Sequence, residues 1–236
     1  MKVVTVILFS LIIAMGFSQK KYEFDYWIEY EVTHFQDSVK IKNRPFREKD
    51  TTFRKILLTN SKKNDYLVVL TEVDSVTYAL NLTDNEGISI NSEILKSELL
   101  SSENFSVACE LVSQYTNPFT YQTKNYDFIA MTDTTIAKSS YHRYKLASIK
   151  PKKVKRLKLG TEYYIIDKHT GFHKPILEFS TAYEEWKTRR NLTNGILFEK
   201  YFIDYYGNLD SKEKLLSYRK INKEIRISGK CGNLKN

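Results

Sequence analysis

The stretch YEFDYWIEYEV, residues 22–32, restricts the fold of this chain more than any other segment. Aromatic and aliphatic residues fill every second position from Tyr22 to Val32, and acidic residues fill most of the positions between them. Because successive side chains of a strand point to opposite faces, the pattern predicts a strand with one dry and one wet face. Such a strand belongs in an antiparallel sheet that is covered on one side. We therefore predict a long first strand over residues 21–35.

Similar alternation follows along most of the chain, with short polar links between the apolar runs. Aromatic residues reach 14% while Gly (8) and Pro (4) are scarce, which is typical of an ordered, strand-rich domain. The sequence predicts a mainly β fold (β-rich α+β), as a curved antiparallel up-and-down sheet or half-barrel of roughly ten strands with one helix packed on it. Further strands are predicted at residues 53–59, 66–71, 76–82, 88–90, 126–131, 141–149, 161–166, 172–179, 196–206 and 215–227.

The alternation is interrupted between residues 92 and 115. Phe105, Ala108, Val112 and Tyr115 follow one another at steps of three and four, which is the spacing of one face of a helix. We predict a helix over residues 105–115 that packs on the apolar face of the sheet. A helix that binds a partner is the alternative.

The first 18 residues have the organisation of a secretory signal peptide. Lys2 gives a positive start, an apolar run of about 15 residues follows, and small residues precede a cleavage point after Ser18. A membrane-spanning helix needs about 20 apolar residues, so this run is short for one. An uncleaved N-terminal anchor is the alternative. The prediction is an exported protein, periplasmic, associated with the outer membrane or extracellular, in which residues 19–236 form a single β-rich domain.

The basic residues concentrate in the run KPKKVKRLKLG, residues 150–160. The whole chain has a net charge of +9, and removal of the leader with Lys2 leaves +8. Since a basic segment attracts anionic surfaces, we predict contact of this run with an anionic surface. Export makes nucleic acid an unsuitable partner. The alternative is a solvated link between two strands, with a strand beginning near its apolar residues. The predicted contact residues are Lys152, Lys153, Lys155, Arg156 and Lys158.

The chain contains two cysteines, Cys109 and Cys231. In an oxidising compartment the two could form a disulfide that closes a loop of more than 100 residues. Such a bridge would stabilise the fold by about 4–5 kcal/mol in the chain-entropy model. The alternative is a buried thiol at Cys109 and a second thiol in a loose tail.

Motifs for catalysis, metals and cofactors are absent from the sequence. His169 and His173 lie four residues apart, but Gly171 between them indicates a turn rather than a helical pair of metal ligands. A nucleophile elbow and a phosphate-binding glycine loop are both missing. The acidic pair Glu184 and Glu185 is interpreted as part of an exposed polar segment. We predict no metal and no cofactor.

The long first strand behind a leader, the series of antiparallel strands and the single helix resemble periplasmic lipoprotein carriers. The hairpin YYIIDKHTGFHKPIL, residues 163–177, is similar to strand pairs of that carrier fold. The leader ending GFSQ and the abundance of Lys, Asn, Ile and Tyr resemble secreted envelope proteins of Bacteroidota. The resemblance implies a concave apolar face that encloses an acyl chain, and it assigns no individual residue.

The function predicted from the sequence is that of a non-catalytic exported cell-envelope protein, which binds a lipid, another apolar ligand or an envelope protein on its curved sheet. One alternative is an extracellular hydrolase acting on polysaccharide or lipid, with two carboxylates brought together from separate strands. Another is a structural or assembly subunit that adds a partner's strand to an exposed sheet edge. The predicted apolar face and ligand contacts are Phe24, Tyr26, Ile28, Tyr30, Phe105 and Val112.

Overall fold

A computed structural model describes residues 20–37, 46–117 and 119–228. These residues form a mainly β structure in which twelve strands belong to one open sheet, accompanied by three short helices. The helices are α1 (Lys96–Ser101), α2 (Pro151–Leu157) and α3 (Ser180–Arg189). The strands are β1 (Lys21–His34), β2 (Thr51–Asn60), β3 (Lys63–Glu72), β4 (Thr77–Asp84), β5 (Ile88–Leu95), β6 (Asn104–Ala108), β7 (Val112–Gln114), β8 (Tyr126–Ile136), β9 (Ser139–Ser148), β10 (Thr161–Asp167), β11 (Leu197–Ile203) and β12 (Leu209–Ser228).

The strand order is β7-β5-β4-β3-β2-β1-β12-β11-β10-β9-β8, and all neighbours in this order are antiparallel. The up-and-down sheet is therefore confirmed, with the first and last strands paired at its centre. β12 pairs with β1 from Ser211 to Arg226. β12 also pairs with β11 along residues 209–214, and it pairs in parallel with β6 along residues 224–228. One long strand thus joins the two halves of the molecule.

Two hydrophobic cores share the first strand. Tyr22 and Phe24 belong to the first core, whereas Tyr26, Ile28 and Tyr30 belong to the second. The pairing of β1 with β12 shifts by one residue between Phe24 and Tyr26, at the point where the strand passes from one core to the other. The predicted first strand is confirmed, but its alternating residues serve two cores rather than one face.

The first core is filled by the chain that connects β5 to β7. Leu99 of α1 is fully buried there, and Phe105 and Val107 of β6 are buried beside it. The predicted helix over residues 105–115 is wrong, because this segment is strand β6, a 3₁₀ turn at Cys109–Leu111 and strand β7. Phe105 and Val107 alternate with exposed neighbours, and parallel pairing with β12 satisfies the backbone.

The second core is covered by α3 and by the irregular segment before it, residues 171–179. The predicted strand over residues 172–179 is wrong, because this segment crosses the sheet instead of extending it. The Lys174 amide donates a hydrogen bond to the carbonyl of Ser61 at 2.9 Å, and the Asn64 side chain donates to the carbonyl of Pro175 at 3.1 Å. Ile176 and Leu177 are buried under this crossing.

Helix α3 contains the acidic pair that the sequence assigned to an exposed segment. That assignment is wrong, since Glu184 and Glu185 are both buried together with Trp186. Ala182, Tyr183 and Trp186 belong to the second core. Among the described residues, none of the helices has the length and apolar character needed to cross a membrane.

Candidate functional site: a cleft with a charged floor

A cleft of about 490 Å³ opens at one end of the second core. Its volume falls within the range of small-molecule binding pockets, which are typically concave and mostly apolar with a few polar groups. The apolar and aromatic wall is made by Tyr126, Leu146, Leu159, Phe179, Tyr201 and Phe202. The polar lining is made by His34, Glu162, Thr181, Lys200, Asp210, Ser211 and Glu213.

Three neighbouring strands bring the central charged side chains of the cleft together. Lys200 of β11 lies opposite Glu213 of β12 and opposite Tyr164 of β10. Glu162 lies two residues before Tyr164, on the same face of β10. The register of the sheet therefore places these charges on the face that carries the second core.

Two lysines and two glutamates form a closed ring of ion pairs beneath the cleft. Lys55 Nζ donates to both carboxylate oxygens of Glu178, at 3.0 and 2.9 Å, and also to Glu213. Lys200 Nζ lies 2.8 Å from Glu178 Oε1 and 3.0 Å from Glu213 Oε1. Each carboxylate of this ring thus contacts both ammonium groups.

The ring holds Glu178 and Lys200 in their charged states. Burial opposes ionisation of Glu178, but Lys200 and Lys55 outweigh it and set the pKa of Glu178 below the usual value. Burial likewise opposes the charge of Lys200, yet the surrounding glutamates raise the pKa of Lys200 well above its usual value. By formal charge, the four ring members carry two positive and two negative charges.

The four members of the ring and Glu162 together form the charged floor of the cleft. Glu162 is the fifth charged group of this floor and lies outside the ring. The hydroxyl of Tyr164 donates a hydrogen bond to its Oε2, and its Oε1 lies 4.0 Å from Lys200 Nζ. Burial raises the pKa of Glu162, and the charge of Lys200 and the Tyr164 hydrogen bond offset only part of this effect. Glu162 is thus the floor carboxylate with the weakest pairing.

The basic run lies next to the mouth of the cleft, since its last two residues, Leu159 and Gly160, line the cleft. The predicted strand beginning in this run is wrong, because residues 151–157 form helix α2 with Pro151 in its first turn. Lys158 ends the helix in the left-handed conformation (φ 52°), and its Nζ lies 4.3 Å from the ring centre of Tyr205. Contact of this helix with an anionic surface stays a prediction.

Gly160 allows the chain to pass close to β11 at the cleft mouth. A Cβ atom at this position would lie 2.4 Å from the carbonyl oxygen of Ile203 and 2.4 Å from the Phe202 ring. The backbone oxygen cannot move aside without disturbing the sheet. A glycine is therefore required here by space.

The predicted ligand contacts do not line the cleft. Phe24 and Phe105 are buried in the first core and Tyr26, Ile28 and Tyr30 in the second, while the half-buried Val112 packs against the first core. None of them belongs to the cleft lining. These residues build the two cores, and ligand contact by any of them stays a prediction.

Cys109 is half-buried at the start of the 3₁₀ turn that follows β6. Cys231 lies outside the described residues. The disulfide between Cys109 and Cys231 therefore stays a prediction.

The two histidines that the sequence placed across a turn are separated as expected. His169 is in a 3₁₀ turn at Lys168–Thr170, while His173 is buried, with Nε2 2.9 Å from the hydroxyl of Thr59. The described part of the chain contains no group of three His, Cys, Asp or Glu side chains that could hold a metal ion.

The sequence analysis missed the charged floor. The available signal was a charged side chain at an inward position of an apolar strand, as at Glu162 in TEYYIID and Lys200 in LFEKYFI. Lys55 gives the same signal in TTFRKILLTN. Charges in such positions are rarely buried unless they are paired, so each one indicates a partner elsewhere in the fold.

Comparison with solved structures gives matches at low similarity. The MucA/MucB complex of Pseudomonas aeruginosa has 6% identity and a TM-score of 0.41, covering 83% of this chain and 52% of that chain. A putative outer membrane lipoprotein-sorting protein domain from Vibrio parahaemolyticus has 10% identity and a TM-score of 0.30, with coverages of 83% and 85%. A LolA superfamily protein from Nitrosomonas europaea has 11% identity, the same TM-score of 0.30 and coverages of 83% and 85%.

The chain spans about half the length of the MucB structures that it matches, with 51–53% coverage of those chains. No family model matches the chain, and no curated protein matches it. Each of these TM-scores is below 0.5, so the matches show no family for this chain, and they do not test an origin in Bacteroidota.

Proposed function

We propose that this chain is a non-catalytic, exported envelope protein that holds an amphipathic, lipid-like ligand in the cleft of its second core. The observation that carries the proposal is the cleft itself, an open cavity of about 490 Å³ with an aromatic wall and a charged floor. The leader at residues 1–18 supports export.

The distribution of packing favours this cleft over the apolar face predicted from the sequence. In the first core, Leu99, Phe105 and Val107 fill the space against the sheet. In the second core, the half-exposed Phe179 stands at the cleft and leaves its ring available to a ligand. Aromatic side chains of this kind combine large apolar contact area with low conformational cost.

The charged floor favours binding over hydrolysis of a glycosidic bond. Glu178 and Glu213 each contact both lysines of the ring, so their oxygens are already engaged. Hydrolysis of a glycosidic bond needs two carboxyl groups that are free to face the bond from both sides. Of the three floor carboxylates, only Glu162 lies outside the ring, so the floor does not offer two free carboxyl groups.

The test is to fill the cleft and measure ligand binding. Thr181 lines the cleft at the start of α3, and a Thr181→Trp variant places a large ring in the cavity. The matched control is Thr188→Trp, since Thr188 is exposed on the same helix. We expect binding of the neutral apolar dye N-phenyl-1-naphthylamine, measured by fluorescence, to weaken at least tenfold in Thr181→Trp and to stay within twofold in the control.

Lipid extraction of the purified protein, followed by mass spectrometry, gives an independent measurement. We expect an amphipathic molecule to be retained by the wild type and lost in Thr181→Trp. Equal dye affinity of the two tryptophan variants at unchanged melting temperature, together with an empty extract, would disprove the proposal.

A second candidate function is strand addition at the sheet edge formed by β8. This edge strand has 11 residues, and within the described residues no strand pairs with its outer side. The side chain of Asn191 covers its beginning by bonding to Asp127 at 2.6 Å, so residues 129–136 are the accessible part. A Thr132→Pro substitution places a residue without an amide donor in this part of β8, and it is expected to abolish capture of a partner strand in pull-downs from the native envelope.

A further inference from the structure

The formal charges of the five floor residues sum to −1. The ring of Lys55, Lys200, Glu178 and Glu213 is neutral as a unit when all four groups are ionised. Glu162 adds a third carboxylate without adding a cation. Among the described residues, Lys200 is the one cation within 4.0 Å of Glu162, and that lysine is already shared by two other carboxylates.

The position of Glu162 directs this excess charge to the cleft. Tyr164 binds one of its oxygens from the side of the core, because Tyr164 is itself fully buried. The other oxygen, Oε1, has Lys200 at 4.0 Å, which is too long for a hydrogen bond. Glu162 lines the cleft, so a ligand in the cleft can reach this side chain.

A carboxylate in such a place is costly unless a cation joins it. Burying a charge without a partner is unfavourable, and the protein compensates either by protonating the group or by pairing it. The cleft provides the space for the second solution. An ammonium group hydrogen-bonds a carboxylate strongly in surroundings that exclude water.

We infer that the ligand of the cleft carries a protonated amine, which pairs with Glu162 while the apolar part of the ligand lies against the aromatic wall. This inference rests on the proposed function and adds the chemical class of the polar end. An anionic end would meet Glu162 and the neutral ring, and it would find no free cation at the floor among the described residues. A neutral hydroxyl end would bring no cation to Glu162.

The experiment compares ligands with the same chain and different ends. Decylamine, 1-decanol and decanoate are titrated at neutral pH into the full chain by calorimetry, below their aggregation concentrations. Decylamine is protonated there, as alkylamines have pKa values near 10. We expect decylamine to bind at least tenfold more tightly than 1-decanol and decanoate to bind most weakly.

The test of the residue is the variant Glu162→Gln. This change keeps the size of the side chain and removes its charge, so we expect the affinities for decylamine and 1-decanol to become equal within about threefold. The control is Glu199→Gln, because Glu199 pairs with Lys212 at 2.8 Å, away from the cleft lining. The control should keep the tenfold preference. Thermal melting of each variant checks that it is folded.

The outcomes separate this inference from the proposed function. If no ten-carbon ligand binds to the folded wild type, the proposed function fails, and the inference fails with it. If the chains bind but 1-decanol or decanoate equals decylamine, the cleft binds apolar ligands and the inference alone is overturned. A preference for decylamine that survives in Glu162→Gln also overturns it.

Propylamine distinguishes an amphiphilic amine ligand from a small amine without a long apolar chain. If the ligand is an amphiphile, propylamine should bind at least a hundredfold more weakly than decylamine, because most apolar contacts are missing. If propylamine binds as well as decylamine and loses its affinity in Glu162→Gln, the recognition of an amine by Glu162 stands and the lipid-like ligand of the proposed function is disproved.

Discussion

At the scale of single residues, Glu185 is the most unusual group outside the cleft. This side chain of α3 is completely buried, and neither of its carboxylate oxygens has a hydrogen-bond partner of normal geometry. Arg189, one turn later, brings Nε to 3.1 Å from Oε1. Burial raises the pKa of Glu185 to about 6, with Arg189 opposing this effect and Asp127 adding to it.

The first prediction concerns the free energy of unfolding that the protein loses when the buried Glu185 is ionised. The pKa is higher in the folded protein than in the unfolded chain, so the folded state holds the proton more tightly. The contribution of Glu185 to stability is therefore greatest below pH 4.5 and is lost as the pH rises to about 6. We expect Glu185→Gln to raise the free energy of unfolding at pH 7 by about 1–2 kcal/mol, and to have no such benefit at pH 4, in urea unfolding. A destabilised variant at pH 7 would contradict this.

At the scale of elements, helix α2 concentrates positive charge beside the cleft mouth. Lys150, Lys152, Lys155 and Arg156 have no ion pair with any described residue, whereas Lys153 bonds to the side chain of Asn125 at 2.9 Å. Leu157 is 55% exposed at the end of the helix, so an apolar side chain stands among the charges. A short cationic helix with an exposed leucine suits the surface of an anionic membrane.

The second prediction tests this helix. Replacing Lys152, Lys153, Lys155 and Arg156 by Ser removes four charges, each of which contributes about 1 kcal/mol near an anionic surface. We expect retention on liposomes containing anionic lipid to fall at least tenfold in sedimentation assays at low salt. The control replaces the exposed Lys62, Lys63, Lys138 and Lys220 by Ser, which gives the same net charge. Equal loss in both variants would show an effect of net charge and not of α2.

A third prediction belongs to the hairpin between β8 and β9. Its two turn residues, Ala137 and Lys138, both have positive φ, at 47° and 71°. Residues other than glycine, asparagine and aspartate adopt this conformation at a cost, and two-residue hairpin turns of this kind favour Asn-Gly. We expect Ala137→Asn combined with Lys138→Gly to raise the free energy of unfolding by about 0.5–1 kcal/mol in urea melts. A loss of stability would contradict the turn geometry.

At the scale of the whole molecule, the central pair of strands joins the two cores into one unit. β1 contributes to both cores, and β12 pairs with β1 over most of its length. The chain has two tryptophans, and each reports on a different core: Trp27 on the first and Trp186 on the second. They provide a direct measurement of whether residues 19–236 form a single domain.

The fourth prediction is that both cores unfold together. The variants Trp27→Phe and Trp186→Phe each keep one tryptophan, whose fluorescence reports the urea unfolding of one core. In each variant we expect this fluorescence transition to coincide with the loss of circular dichroism. Two cores that unfold independently would give different midpoints for the two probes within one protein. In that case the single domain predicted from the sequence would be wrong.

Local sequence pattern predicted some parts of the fold and failed for others. The strands with clear alternation are confirmed within a few residues, as in β1, β4 and β10. The spacing of Phe105, Ala108, Val112 and Tyr115 fits a helical stripe, but it fits β6, a turn and β7 as well. Pairing with β12, more than 100 residues later, selects the strand. A local pattern carries no information about that partner.

The sequence by itself determined that this chain builds a wide antiparallel sheet, because period-two alternation acts at each strand independently and survives without knowledge of its neighbours. The tertiary structure alone decided which face of which strand stays open. The cleft exists because residues 171–179 and α3 cover only part of the second core, and its charged floor exists because Lys55, Glu178 and Lys200 meet from distant segments. Such meetings depend on strand register and chain crossing, which are properties of the assembled sheet.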